Sequence, residues 1–235
     1  MIANKKACSP KSRTQKNSAP KNYVVGLVLA AGQGTRFGGH KLRHLINGDT
    51  PMGVQCALNL KPHVDEVVCV VRPDDQELKI LFAAQGFTLV DNPDFELGLS
   101  SSIRAGVAAH PNADYWLIAL GDMPFIQTTT YDMVSNAIKN ECKTCPSQHR
   151  IIRPCIVSKS ANTRHAGHPV AFPNRLKSEL LALTGDKGAA PIFKQQAKTK
   201  QKKANETIHW LLVNDDGIRL DIDQLSDIPT IREYS

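Results

Sequence analysis

The stretch VVGLVLAAGQGTRFGGHKL, residues 24 to 42, constrains the fold more than any other part of the chain. Its first eight residues carry no polar side chain, the pattern of a strand buried on both faces inside a parallel sheet. A glycine-spaced loop follows, and it ends in cations. Glycine lets a backbone curl and approach a ligand closely. A curl of N–H groups flanked by Arg36 and Lys41 makes a concavity for anions, and a phosphate chain is the guest this chemistry suits. Two common phosphate motifs do not match. Gly32, Gly34 and Gly38 give G-x-G-x-x-x-G, one residue longer than the dinucleotide fingerprint. Counting from Gly34, the second glycine of a P-loop falls at Gly39, but His40 intervenes before Lys41, and Leu42 rather than Ser or Thr follows that lysine.

Downstream, apolar β-rich runs alternate with helical patterns, which predicts an α/β fold: a three-layer αβα sandwich around a mostly parallel, Rossmann-like sheet. Strands are expected at residues 23–30, 66–72, 87–92, 115–122, 150–158, 168–173, 207–213 and 218–223. Helices are expected near 51–59, 74–85, 175–183 and after the turn TGDKGAAP. A further helix starts in LGLSSSIRAGV, capped by one of its serines. In such sheets ligands sit beyond the carboxyl ends of strands. The loop after the first strand and Asp122, at the end of YWLIALGD, then face one crevice.

Charge bears on partners. The net charge of +7 is concentrated in residues 1–22, which hold Lys5, Lys6, Lys11, Arg13, Lys16 and Lys21 and no acid. Removing these six from the 29 Lys and Arg leaves 23 against 22 Asp and Glu, a balanced body. Residues 1–22 read as a disordered basic tail and 23–235 as one domain. The lysine run at 194–203 lacks the interleaved aromatics that stack on bases, so nucleic acid is not an expected partner. No apolar stretch is long enough for a bilayer, and no secretory signal is visible. The chain reads as cytoplasmic, with its six cysteines reduced. Cys142, Cys145 and Cys155, with His165 or His168, offer only a weak zinc pattern. His40, His44 and His63 read as solvated, and Trp116 and Trp210 as core.

The pattern L-A-A-G-x-G-x-R-x-G-x-x-K resembles the signature loop of the MobA/MocA-like nucleotidyltransferase family, whose sheet is of the nucleotide-diphospho-sugar transferase type. Four further segments extend the likeness to residue 227. They are LGDMP, NPDFELGLSSS, the pair GHPVAFP and GDKGAA, and DIDQLSD. They resemble most the molybdopterin cytidylyltransferases. The resemblance implies transfer of CMP from CTP to the phosphate of a pterin, with Mg2+ as cofactor and release of pyrophosphate. It implies Arg36, Lys41 and Asp122 as catalytic residues. Leu29, Ala30, Ala31, Gly32, Gly34, Asn92, Gly98, Ser100, Ser101 and Ser102 are implied in nucleotide binding beside them. Asp122 and Asp223 are implied as metal ligands, with Asp221 the fallback. His168, Pro169, Gly185, Asp186 and Gly188 are implied on the acceptor side. The sequence departs from the pattern where Ala190 replaces an arginine, and where Gln224, Leu225 and Ser226 replace T-P-E. L-A-A-G at residues 29–32 is the form that resembles cytidylyl-transferring members. A molybdenum hydroxylase or its accessory protein is the implied downstream partner. The same nucleotide half also suits a sugar phosphate or methylerythritol phosphate acceptor, or a non-catalytic cofactor-delivery protein.

Overall fold

The computed structural model describes residues 22–34, 37–46, 48–144, 146–158, 163–198 and 207–228. The first strand, β1 (Val24–Leu29), is buried along its whole length, as an uninterrupted apolar run requires. It pairs in parallel with β2 (Glu66–Val71) on one side and β4 (Tyr115–Leu120) on the other, and β2 pairs in parallel with β3 (Thr88–Asp91). Beyond β4 the sheet becomes mixed. Strand β7 (Val170–Pro173) runs antiparallel to β4 and to β5 (Ile151–Val157), which carries β8 (Ile208–Leu212) in parallel at the edge. A short strand, β6 (Arg164–Ala166), pairs with β5, so the stretch between the strands expected at 150–158 and 168–173 contributes an eighth strand to this sheet.

Helices cover both faces, so the expected three-layer α/β sandwich is the fold observed. Alternate residues of β1 divide between two cores. Val24 and Val28 pack with α1 (Met52–Leu60), α2 (Gln76–Ala84) and α4 (Thr128–Glu141), through Cys56, Leu60, Phe82 and Tyr131 among others. Val25, Leu27 and Leu29 pack on the opposite face with α3 (Leu99–Ala109), α5 (Lys177–Leu181) and α6 (Ala190–Lys198), through Ile103, Leu180 and Ile192. Trp116 lies at full burial in the second core, whereas Trp210 is half-buried under the Arg164 guanidinium. His63 is not the solvated residue expected: its ring stacks on Tyr131 with centroids 5.5 Å apart.

Two local expectations need correction. Residues 218–223 do not form a strand; a short 3-10 turn, Asp216–Arg219, gives way to an unpaired extended segment. It is tied to the crevice by the Ile222 N–H, which donates to the Asp122 carbonyl at 3.0 Å, and by the Asp223 carboxylate. The serines do not cap α3 either. Gly98 occupies the cap position at φ 89°, and the Asp186 carboxylate accepts from the Leu99 N–H at 3.1 Å in place of a local side chain. The site's segments now have fixed positions. Leu29 and Leu120 are register partners, so the loop after β1 and Asp122 after β4 leave adjacent strands on the same side.

Candidate active site

The glycine loop folds back on itself. Phe37 and Gly39 both donate backbone N–H groups to the Gly34 carbonyl, at 3.0 and 3.3 Å. Gly34 itself adopts φ 60°, and a methyl group there would meet the Lys41 Cβ at 3.0 Å. The curl therefore presses Lys41 inward. Its side chain is only 8% exposed, and its ammonium lies 2.8 Å from Asp122 Oδ2 and 3.1 Å from Asp223 Oδ1. Burial alone pulls an ammonium's pKa down, but the attraction and hydrogen bonds of these two carboxylates override it and hold the group above its ordinary value. Lys41 is thus firmly charged.

This trio lines one end of a cleft of about 280 Å³, together with Leu29, Ala30, Gly32, Gly34 and Phe37. Asp122 and Asp223 converge on one point although 101 positions separate them in sequence. Two convergent carboxylates beside a phosphate-sized concavity fit a divalent cation that completes its shell with phosphate oxygens and water. Among the described residues no group of three His, Cys, Asp or Glu offers an all-protein site instead. Asp221 is exposed and does not line the cleft. Arg36 and Cys145 lie outside the described residues.

The cleft contains cations that the loop motif alone did not single out. Arg43 and Arg72 line it and share Asp75, which also caps α2 by accepting from the Leu78 N–H at 3.2 Å. Arg43 pairs further with Glu77, and Arg72 with Asp74 at 3.5 Å. Arg72 directly follows β2, and its place beyond a strand's carboxyl end was the available signal.

A second, larger cleft of about 500 Å³ adjoins the first at Gly32 and is lined by Ala31, Phe95, Gly98, Leu99, Ser102 and Asp186. Gly98 is required where it stands: a Cβ would come within 2.6 Å of the Asp186 Cα. The remaining residues of this segment support it from below. Asn92 is buried and donates to Ser101 Oγ at 2.9 Å and Ser102 Oγ at 3.1 Å. Ser101 donates to the Gly98 carbonyl, while Ser100 turns away toward the Thr184 and Gly188 carbonyls. Ser100 and Ser101 therefore hold the loop rather than face the cleft, and Gly185 accepts from the Ser100 N–H.

A third cavity of about 170 Å³ lies on the α3 and α6 face and is lined by His168, Gly188 and Ala190 together with Arg153, Lys187 and Phe193. The residues expected on the acceptor side are therefore divided, with Asp186 at the second cleft and His168 and Gly188 at the third. Pro169 is buried behind His168. No described helix is long and apolar enough to cross a membrane.

Residues 26–200 match the model of the MobA-like NTP transferase domain. Nicotine blue oxidoreductase of Paenarthrobacter nicotinovorans is 26% identical over 175 residues, which span 74% of this chain and 82% of that protein. A probable molybdenum cofactor guanylyltransferase of Thermococcus sibiricus is 30% identical over 113 residues, 47% of this chain and 54% of that one. Among solved structures, Rv0371c from Mycobacterium tuberculosis H37Rv superposes with a TM-score of 0.66 at 24% identity, covering 88% of this chain and 95% of that one. The same protein has also been solved in complex with manganese, with a TM-score of 0.62 at 24% identity over 87% of this chain and 95% of that one. The chain belongs to the family of MobA-like NTP transferase domains, enzymes of the nucleotidyltransferase class.

Proposed function

We propose that this enzyme transfers CMP from CTP to the phosphate of molybdopterin in a Mg2+-dependent reaction that releases pyrophosphate. The observation that carries the reading is the Lys41 ammonium, held between Asp122 and Asp223 beneath the glycine loop. An oxygen of the acceptor phosphate attacks the α-phosphorus of the triphosphate. A new P–O bond forms as the bond to the β-phosphate breaks, and pyrophosphate leaves with that electron pair. A phosphate monoester dianion needs no general base, so the protein's task is positioning and charge neutralisation. The Gly32–Gly34 backbone receives the phosphates, and Lys41, with Arg36 from the same loop, neutralises the departing pyrophosphate. Arg43 and Arg72 add positive potential on the outer side of the cleft. Asp122 and Asp223 are the residues that would hold the divalent ion, which would supply Lewis-acid charge neutralisation when bound. The manganese complex of Rv0371c supports a divalent ion for this fold.

The second cleft suits the nucleoside. Ala31 is buried and lines this cleft together with Gly98, and a methyl group there in place of hydrogen favours the smaller pyrimidine in our reading. Ser102 offers a hydroxyl to the ribose or base. The product, a cytidylylated pterin, would pass to a molybdenum hydroxylase. Pyrophosphate release with Mg2+ and molybdopterin, compared across CTP, GTP, ATP and UTP, tests the reading. Release with CTP several-fold above the others is expected. Preference for GTP overturns the nucleotide assignment. Silence with every triphosphate overturns the reaction, and the oxidoreductase relative makes that arm worth running.

A further inference from the structure

The cavity between α3, α6 and the β4–β7 region contains a polar pair that transfer chemistry at Lys41 does not use. Arg153 points from β5 into it. Its Nε donates to the Gly167 carbonyl at 3.2 Å, and its guanidinium carbon lies 4.3 Å from the centre of the Phe193 ring. Among the described residues no carboxylate pairs with it, although burial disfavours its charge. A half-buried guanidinium without a counter-ion retains donors that need an acceptor. Across the same cavity, His168 Nδ1 is fully buried and has no hydrogen-bond partner. Burial, reinforced by nearby Arg153, pushes this imidazole down to about 4, so the ring is neutral. The Ile118 backbone is the ring's other polar neighbour, so Nδ1, which has no partner, is the nitrogen that a ligand N–H would meet.

The remaining walls are apolar, with Ile118, Val170, Phe172 and Phe193 among them. At about 170 Å³ the space admits a one- or two-ring heterocycle but falls below the 300 Å³ or so at which drug-sized pockets begin. Leu29 lines both this cavity and the Lys41 cleft, so a ring seated here lies one side chain from the transfer centre. We propose that the cavity takes the planar lactam ring of the acceptor, its carbonyl oxygen toward Arg153 and its adjacent N–H toward His168 Nδ1. The inference rests on the reading of a pterin acceptor above, and it names Arg153 as a specificity-determining residue. Spare guanidinium donors and an unpaired acceptor on the walls of one small cavity reject rings that lack the complementary groups, because both then stay buried and unsatisfied.

The test uses the full chain and free pterin, 2-amino-4-oxopteridine, followed by its own fluorescence. Pterin is expected to bind, and R153M, which keeps the apolar stem, should weaken it about tenfold or more while leaving CTP affinity unchanged. In turnover, R153M should raise the KM for the acceptor with little change in kcat. Unsubstituted pteridine, which lacks both the carbonyl and the N–H, should bind the unaltered protein at least about tenfold more weakly than pterin. That comparison stands even when R153M does not fold. Equal binding of pterin and pteridine, equal binding by R153M, no pterin binding, or competitive displacement of pterin by CTP each overturns the proposal. Pterin binding as expected without pyrophosphate release from any triphosphate leaves the ring site standing and removes the transfer reaction.

Discussion

The Lys41 cleft and the Arg153 cavity lie on either side of Leu29, yet they treat charge in opposite ways. At Lys41 every charge is answered: one ammonium meets two carboxylates, and the two nearby arginines share Asp75. At Arg153 the cation has only a carbonyl and an aromatic face, and the neighbouring His168 nitrogen has nothing. A self-satisfied cluster is stable without ligand and must rearrange to bind one. An unsatisfied pair costs stability until a ligand completes it. The first arrangement suits a highly charged substrate arriving with its own cation, and the second suits a neutral ring edge.

The comparison breaks most sharply at Asp122. Asp122→Asn removes one of two convergent carboxylates, and turnover measured by pyrophosphate release should fall roughly 10³-fold. Circular dichroism should show little change in folding, since the Asp122 side chain is 27% exposed and its bond is to Lys41 at the cleft, while its backbone carbonyl still accepts from Ile222. A loss below tenfold would remove Asp122 from the transfer centre.

Lys41→Met should act in two directions at once. Turnover drops about 10²-fold because the leaving pyrophosphate loses its cation. Mn2+ binding in the absence of nucleotide, followed by electron spin resonance, strengthens because the two carboxylates are released to the ion. Weaker Mn2+ binding in Lys41→Met would mean that Asp122 and Asp223 do not share an ion.

The smallest effect belongs to His168 and pH. Its folded-state pKa, about 4, lies below the ordinary 6.5, so between these values the unfolded chain binds a proton that the native chain refuses. Stability from this source therefore falls as pH drops from 6.5 toward 4 and is flat above 6.5. Carboxylates such as Glu66 and Glu141, held below their usual range by hydrogen bonds despite burial, add their own acid sensitivity. The difference between the unaltered protein and His168→Gln isolates the histidine. Melting temperatures should fall less steeply with acid in the variant, by a few degrees across the window.

Much of this could be read from residues in order, and the limits have physical causes. The apolar run at 24–31 dictated a central strand because burial on both faces leaves no polar position. Lys41 and Asp122 were legible because a glycine curl and a strand end each announce a ligand locally. The segment 218–223 misled, since I-R-L-D-I-D alternates like a strand, yet its neighbour in space is the loop after β4 rather than another strand. The serines misled for a related reason: cap chemistry is usually local, but here Asp186 reaches in from 87 positions away. Arg153 carried no signal, because its lack of an acidic partner is a fact about three-dimensional neighbours.

The placement of Lys41 also sets an order of events. With the ammonium seated between Asp122 and Asp223, a free divalent ion meets a charge already sitting in its place. A triphosphate offers that ammonium a better anion, and the carboxylates become available as it swings away. On the proposed reading, ion and nucleotide would then assist one another, and by reciprocity each would tighten the other's binding by the same factor. In the proposed reaction the enzyme would act as a gate that recognises the metal–nucleotide complex as a single visitor and turns away the lone ion.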